Sequence, residues 1–234
     1  MDLPNASGPR MGNATQHAVQ RILMMIMCGD IGPGEQIRQQ EMAEQCGISR
    51  VPLREALNVL AQQGLLLHRP NQGYFVAKRG PGELAQIRRM LHLLENDVMS
   101  SLHWPSADQL ARLRSLNEEM RSLLMSPEWG KFAACNRQFH VQILACSPMR
   151  LMVEEIRRLY TLADPFFGAK FERLSARQKT IDEHELIISA LDRRDREALI
   201  NAVEIHRYSN ATGFTQSMAD GRAITVGADT PLDR

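Results

Sequence analysis

The stretch that decides the fold is "GISRVPLREAL", residues 47–57. Its leucines and alanine recur at helical spacing, and Ser49 directly before them is a favoured N-cap residue, so a helix that begins at Ser49 is predicted. Arg50 and Arg54 are four residues apart and therefore lie on the same side of this helix. Two arginines in that position suit either a solvated surface or contact with the phosphates and guanine edges of DNA. Physical chemistry alone leaves both interpretations open.

The sequence on either side of this helix predicts a winged helix-turn-helix. An amphipathic helix is expected from about Thr15 to the glycine at position 29, and a short helix at 38–45, with Gly47 at the turn. After Gly64, "LLLH" and "YFVAK" are separated by the turn-forming "RPNQG", which indicates two short strands joined by a tight loop. Three helices followed by a β-hairpin form a winged helix-turn-helix, whose second motif helix enters the major groove.

The rest of the chain predicts a second, all-helical domain. Ser106 and Asp195 are plausible N-caps, and prolines separate several of the apolar segments. Helices are expected near residues 83–103, 106–125, 128–145, 148–163, 171–191 and 195–212. The predicted fold is therefore mainly α, with a disordered arm at 1–13, a winged helix-turn-helix domain at 14–78, a linker at 79–82, a helical-bundle domain at 83–214 and a loose tail at 215–234.

Composition agrees with a helical protein whose charges are nearly balanced. Of 234 residues, 44% are hydrophobic but only 5% aromatic, which favours helices over a large β-sandwich. The net charge is +1, so any nucleic-acid site must be a local one. The four cysteines contain no C-x-x-C pair, which indicates buried free thiols in a reducing compartment. Because the N-terminal region lacks a long apolar run, we expect a cytoplasmic protein without a membrane segment.

The first part of this pattern is similar to a known family. "GDIGPGEQIRQQEMAEQCGISRVPLREALNVLAQQGLLLHRPNQGYFV", residues 29–76, closely resembles the DNA-binding domain of the GntR family of bacterial transcription regulators. Its opening turn, recognition helix and wing match as separate motifs. The resemblance implies DNA contacts from Ser49, Arg50, Val51, Arg54 and the wing-tip glycine, Gly73. Gln40 stands where some members place a further contacting arginine. A tight wing also needs a positive φ, which favours glycine at its tip.

Three of the seven histidines lie within amphipathic helices of the second domain. They are His140 in "CNRQFHVQIL", His184 in "IDEHELIISAL" and His206 in "AVEIHRYS". Three helices of a bundle could bring them together, and Asn136 shares the face of His140 because it lies four residues earlier. Spacing alone makes this a weak metal motif. We expect His92, which lies among leucines, to be a core residue.

The helical half resembles the effector-binding domain of the FadR branch, called the FCD domain. Many members bind a divalent metal ion through one aspartate and three histidines, and the histidines fall on His140, His184 and His206. Asn136 stands at the aspartate position. The resemblance implies a Zn²⁺ or Ni²⁺ site that shares its pocket with a small effector. The missing carboxylate ligand weakens binding of the ion. It also leaves the ion with its full charge, which favours an anionic effector such as an organic or sugar acid.

The predicted function is that of a ligand-responsive transcription regulator, a repressor or an activator, which binds a palindromic DNA operator as a homodimer and is not an enzyme. The apolar stripe of the helix at 83–103 is a candidate dimer interface or part of the domain core. The helix also lacks the arginine that members often place three residues before the pair matching Leu94 and Glu95, so neither Arg88 nor Arg89 is assigned to the effector.

Two other classes of function are considered. One is a metal-dependent hydrolase built on the three histidines, although no H-E-x-x-H, G-x-S-x-G or phosphate-binding glycine loop is present. The other is an architectural DNA-binding protein without a ligand. A polar cluster inside a bundle argues against it, because buried histidines without a partner are costly.

Overall fold

The computed structural model describes residues 12–219, and the side chains of residues 12–207. An N-terminal domain with a small sheet is followed by a helical domain, and each has its own hydrophobic core. The N-terminal domain consists of α1 (Asn13–Met27), β1 (Gln36–Ile37), α2 (Gln39–Cys46), α3 (Arg50–Gln62), β2 (Leu66–Arg69) and β3 (Gly73–Val76). This is the winged helix-turn-helix that the sequence predicts.

The core of the N-terminal domain forms where the apolar faces of three helices meet. Ile22 and Ile26 of α1 are buried against Leu53 and Leu57 of α3 in one cluster. α2 ends at Cys46 and is followed by Gly47, whose φ of +65° is the left-handed conformation that commonly follows a helix. The strands form an antiparallel sheet in the order β1-β3-β2. The sequence did not predict β1, because two residues are too few to show a period of two.

The tip of the wing is a tight turn. The amide of Gln72 donates a hydrogen bond to the Arg69 carbonyl over 3.1 Å, with Pro70 and Asn71 between them. Asn71 has a φ of +61°, and proline followed by a residue with positive φ is typical of a type II turn. Gly73 follows with a φ of +94°, so the expected positive φ at this glycine is confirmed.

The second domain is a bundle of helices. Its elements are α4 (Pro81–Ser101), α5 (Ala107–Ser122), α6 (Trp129–Leu144), α7 (Arg150–Phe167), a 3₁₀ helix (Gly168–Glu172), α8 (Leu174–Asp192) and α9 (Arg196–Ala219). The two predicted N-caps are present. Ser106 Oγ accepts from the Gln109 amide over 3.2 Å, and Asp195 Oδ1 accepts from the Ala198 amide over 3.0 Å. Phe132 and Phe139 of α6 are fully buried in the core.

Several predicted boundaries were wrong. α4 begins at Pro81, inside the predicted linker, because proline is well suited to the first turn of a helix. α7 continues through Pro165 to Phe167, so this proline lies within the last turn of the helix with its ring buried. α9 continues to Ala219, into the predicted tail, and α1 already begins at Asn13. The rest of the predicted arm and tail lies outside the described residues.

The apolar stripe of α4 is part of the domain core. Leu84, Ile87, Leu91 and Val98 are buried in the main cluster, and Leu94 packs against it. Of the two interpretations of this stripe, the structure therefore supports the core. Among the helices within residues 12–219, none is both long and apolar enough to cross a lipid bilayer.

Candidate DNA-binding surface and effector cavity

The N-terminal end of α3 presents the predicted DNA-binding side chains to solvent. Ser49, Arg50 and Arg54 are exposed, and 69% of the Val51 surface is accessible. Ser49 occupies the N-cap position, but its side chain makes no capping hydrogen bond. Amide groups at the start of a helix attract anions, so this end of α3 suits a DNA phosphate.

Neither arginine is used elsewhere in the part of the chain that the structure describes. Arg50 and Arg54 make no ion pair or hydrogen bond with any residue between 12 and 207, so their guanidinium groups are available for a partner. An exposed, bulky Val51 beside them is unusual on a solvated helix face and fits contact with a thymine methyl group.

Two side-chain hydrogen bonds hold α3 in place. Thr15 Oγ1 of α1 donates to Glu55 Oε2 over 2.8 Å. Tyr74 Oη of the wing donates to Asn58 Oδ1 over 2.5 Å. The helix α3 is therefore tied to both α1 and the wing.

The structure places Gly73 where the wing approaches the start of α2. A Cβ added to Gly73 would lie 3.6 Å from Gln39 Nε2, which is ordinary contact, so its positive φ rather than crowding favours glycine here. Gln40, at the position of the further arginine contact in some relatives, is exposed on α2.

The second candidate site is a cluster of the three histidines from α6, α8 and α9. One ring nitrogen from each of His140, His184 and His206 lies within 4.8 Å of the others. The Nε2 atoms of His140 and His206 are 3.2 Å apart. Two nitrogens bound to one tetrahedral Zn²⁺ at about 2.0–2.1 Å would be about 3.3 Å apart, so this spacing fits a shared ion.

Burial prepares these histidines to act as neutral ligands. Desolvation lowers the pKa of His140 and of His184 well below its usual value, and it lowers the pKa of His206 to about 3. Glu183 Oε2 lies 2.8 Å from His206 Nδ1, which therefore donates the hydrogen bond and leaves Nε2 directed at His140. A carboxylate holding a histidine in this way is common behind metal ions.

The polar atoms without partners also fit a ligand. Both ring nitrogens of His184 are buried and make no hydrogen bond within the described residues, although the ring stacks on Phe139 at 3.8 Å. Asn136 Oδ1, one turn before His140, is likewise buried without a hydrogen bond there. Orphaned buried polar atoms are costly, and a bound cation would satisfy the Asn136 oxygen and the ring nitrogen of neutral His184 that carries no proton. The residues present thus fit a divalent metal ion.

A cavity of about 750 Å³ borders this cluster. Asn136, His140 and His206 line it, whereas His184 lies behind them. The cavity walls also carry charged and aromatic side chains from α4, α6, α7, the 3₁₀ helix and α9. Those that sequence reasoning had not assigned are Arg88, Arg89, Glu95, Arg137, Tyr160, Asp164, Phe167, Lys170, Phe171, Glu204 and Arg207.

Four of the charged groups on the cavity wall form two largely buried pairs, Arg137 with Asp164 and Arg207 with Glu95. Arg137 is paired with Asp164, and burial raises the pKa of that carboxyl group to about 6 against the opposing effect of the arginine. Glu95 accepts from Tyr160 Oη over 2.6 Å, and Arg207 lies 3.5 Å away on its other oxygen. Burial raises the pKa of Glu95.

Some of these residues could have been found from sequence, and some could not. Arg137 lies three residues before His140 on α6, so helical spacing could have placed it beside the cluster. The assignment of His92 to the core was wrong: it is half-buried on the cavity wall, 3.5 Å from Asn96 Nδ2. Arg88 and Arg89 also line the cavity. Nothing local in the sequence indicates which face of α4 the cavity meets.

Comparison with known proteins identifies both domains. Residues 14–76 match the family described as "Bacterial regulatory proteins, gntR family", and residues 83–208 match the FCD domain. The chain belongs to the GntR family of transcription regulators, in the group that carries an FCD domain. Its relatives include the regulator McbR of Escherichia coli, which is 27% identical over 72% of this chain and 78% of its own.

Other relatives of this GntR protein are regulators as well. The repressor RspR of Escherichia coli is 25% identical over 75% of this chain and 78% of its own. The Nta operon regulator of Aminobacter aminovorans is 28% identical over 70% of this chain and 78% of its own. The solved structure of Escherichia coli McbR has a TM-score of 0.80 at 24% identity, over 89% of this chain and all of its own, and it shares this fold.

Proposed function

We propose that this GntR regulator binds a two-fold symmetric operator as a homodimer and that a small carboxylate, an organic or sugar acid, controls the complex. The observation that carries the proposal is the histidine cluster, with its orphaned acceptors, at the wall of a 750 Å³ cavity. Arg50 and Arg54 at the exposed end of α3 read the operator, with Ser49, Val51 and the wing glycine Gly73 beside them.

A divalent ion, Zn²⁺ or Ni²⁺, held by His140, His184 and His206 would attract the carboxylate oxygens of the effector. Three neutral imidazoles and the Asn136 amide oxygen leave the ion with its whole positive charge. Lys170, whose pKa burial lowers to about 7, lies on the same cavity wall and adds positive charge when protonated. This set of groups favours an anion over a neutral ligand.

The proposal has two further parts, the cellular compartment and the direction of regulation. The protein acts in the cytoplasm, where the chromosome is accessible. It acts as a repressor, the role that the name of its relative RspR states. The relatives are regulators, and they offer no support for the alternative of a metal-dependent hydrolase.

Selection of DNA from a random duplex library tests operator binding and assumes no target sequence. We expect the selected sequences to share two inverted half-sites about one helical turn apart, because a symmetric dimer presents two recognition helices. Adding Zn²⁺ with citrate or gluconate is expected to shift the affinity for this operator. Selected sequences without two-fold symmetry would contradict the proposed mode of binding.

Light scattering tests the homodimer. A single winged helix makes few contacts, whereas two linked half-sites raise affinity greatly. We expect a mass close to twice the 26.5 kDa of one chain at micromolar concentration. Since the apolar stripe of α4 is used in the core, the interface must use other surfaces; a mass of 26.5 kDa would show that no dimer forms.

A further inference from the structure

The last residue of α1 belongs to the DNA-binding domain but lines the effector cavity. Only 5% of the Met27 surface is exposed, yet Met27 is part of neither hydrophobic core. Its burial comes from its position between the two domains, where it forms part of the cavity wall. A ligand that fills the cavity would therefore touch the DNA-binding domain directly.

The segment that follows is packed tightly on the helical domain. A Cβ added to Gly130 of α6 would lie only 2.6 Å from the Cα of Cys28, so the two backbones meet with no room for a side chain. Gly29, with a φ of +79°, lies beneath the ring of Trp129. We call Met27, Cys28 and Gly29 the α1 contact segment.

The helix on which this segment rests also carries effector-binding groups. Gly130 is near the start of α6, and Asn136 and His140 lie on the same helix two and three turns later. Lys170 is in the 3₁₀ helix, which also packs close to the segment, since a Cβ added to Gly168 would lie 3.6 Å from the Met27 carbonyl oxygen. Helices move as rigid units, so a shift of α6 on binding reaches the contact segment.

On the side away from the cavity, α1 contacts the recognition helix, α3. α1 packs on α3 through the core that contains Ile22 and Leu57, and Thr15 bonds Glu55, the neighbour of Arg54. A displacement of α1 must therefore move α3 or break these contacts.

We propose that the effector site extends into the DNA-binding domain, where Met27 contacts the carboxylate effector and the α1 contact segment transmits cavity occupancy to the recognition helix. The proposal rests on the proposed function. In the free protein the segment holds each recognition helix at the spacing that the operator requires. An effector that displaces Met27 removes this preorganisation, which lowers operator affinity.

The variant Gly130→Ala tests the contact without any ligand. Alanine is the better helix former, so α6 itself is not weakened, and the atoms nearest to the new methyl group all belong to Cys28 of the contact segment. Gly82→Ala is the matched control, because Gly82 is exposed in the first turn of α4 and has nothing within 4 Å of the added Cβ. By fluorescence anisotropy on the selected operator, we expect Gly130→Ala to bind at least fivefold more weakly and Gly82→Ala to remain within twofold of wild type.

A second pair of variants tests Met27 itself. Met27→Trp places an indole ring in the cavity and should weaken operator binding at least fivefold, as an effector would. Met24→Trp, at an exposed position on the same helix, should leave it unchanged. Calorimetric titration with citrate, gluconate and octanoate in the presence of Zn²⁺ then measures acid binding. For the acid that wild type binds most tightly, Met27→Trp should lose at least tenfold in affinity and Met24→Trp should lose none.

The outcomes separate the two proposals. If wild-type protein binds neither a selected operator nor any of the acids, the proposed function fails. If wild type binds operator but folded Gly130→Ala and Met27→Trp bind it equally well, the coupling through α1 is overturned. Circular dichroism reports folding, and Met27→Trp decides the matter where Gly130→Ala does not fold.

Discussion

Replacing Arg50 or Arg54 by alanine is expected to weaken binding of the selected operator by about 1–3 kcal/mol for each arginine, which is roughly 5- to 150-fold. Both side chains are exposed at the start of α3. A guanidinium group can donate two hydrogen bonds to one guanine edge, and alanine removes both. Fluorescence anisotropy at fixed salt measures the effect.

A charge-matched control shows whether the loss is specific. Arg114→Ala removes the same charge from the helical domain, where Arg114 forms a half-exposed ion pair with Asp192, and it should leave operator affinity unchanged. A purely phosphate-binding arginine would weaken all DNA sequences alike and flatten the salt dependence. Wild-type operator affinity in a protein that carries both Arg50→Ala and Arg54→Ala would show that α3 is not the recognition helix.

The second large effect concerns the metal ion. Protein purified without chelator or nickel resin is expected to contain bound Zn²⁺ or Ni²⁺, and the variant His140→Ala, His184→Ala almost none. Two of three imidazole ligands are then missing, and one histidine with an amide cannot hold the ion. Plasma mass spectrometry measures the metal content, and thermal unfolding checks the fold, because His184 is stacked on Phe139 in the core.

Two controls are available, one that should leave metal binding unchanged and one that should strengthen it. His17→Ala, His103→Ala removes two exposed histidines and should retain the metal. Asn136→Asp restores a carboxylate at the position of the buried amide oxygen and should tighten Zn²⁺ binding roughly tenfold or more, about 1.4 kcal/mol. Equal metal content in the double histidine variant and wild type would exclude this site.

The shape of the candidate DNA-binding surface could be predicted almost wholly from local sequence, whereas its role in DNA binding came from the family resemblance. Ser49, Gly47 and the apolar spacing around Leu53 specify where α3 begins and which face is buried, so the exposure of Arg50 and Arg54 follows directly. The wing was equally clear, because proline fixes its own φ, and asparagine and glycine tolerate the positive φ that this turn requires. The short strand β1 is different, since its pairing with Phe75 is a contact between distant parts of the chain.

The cavity could be predicted only in part. The three histidines were proposed as a cluster from the family resemblance, and the structure brings them together. Their partners come from elsewhere: Glu183 faces His206 rather than the adjacent His184, and Tyr160 of α7 meets Glu95 of α4. Such pairs depend on how the helices rotate and cross in the bundle, and the spacing of apolar residues along the sequence does not determine this.

The amino-acid sequence by itself determined the helices, the turn and wing of the first domain, and the exposed arginines, because these depend on backbone preferences and on side chains a few residues apart. Only the tertiary structure decided that the stripe of α4 lies in the core, that Arg88, Arg137 and Lys170 share one cavity, and that Met27 closes it from the other domain. These arrangements bring together residues up to 180 positions apart in the sequence, from Met27 to Arg207. They form because each helix must bury its apolar face against the others, and the best common packing is a property of the whole chain.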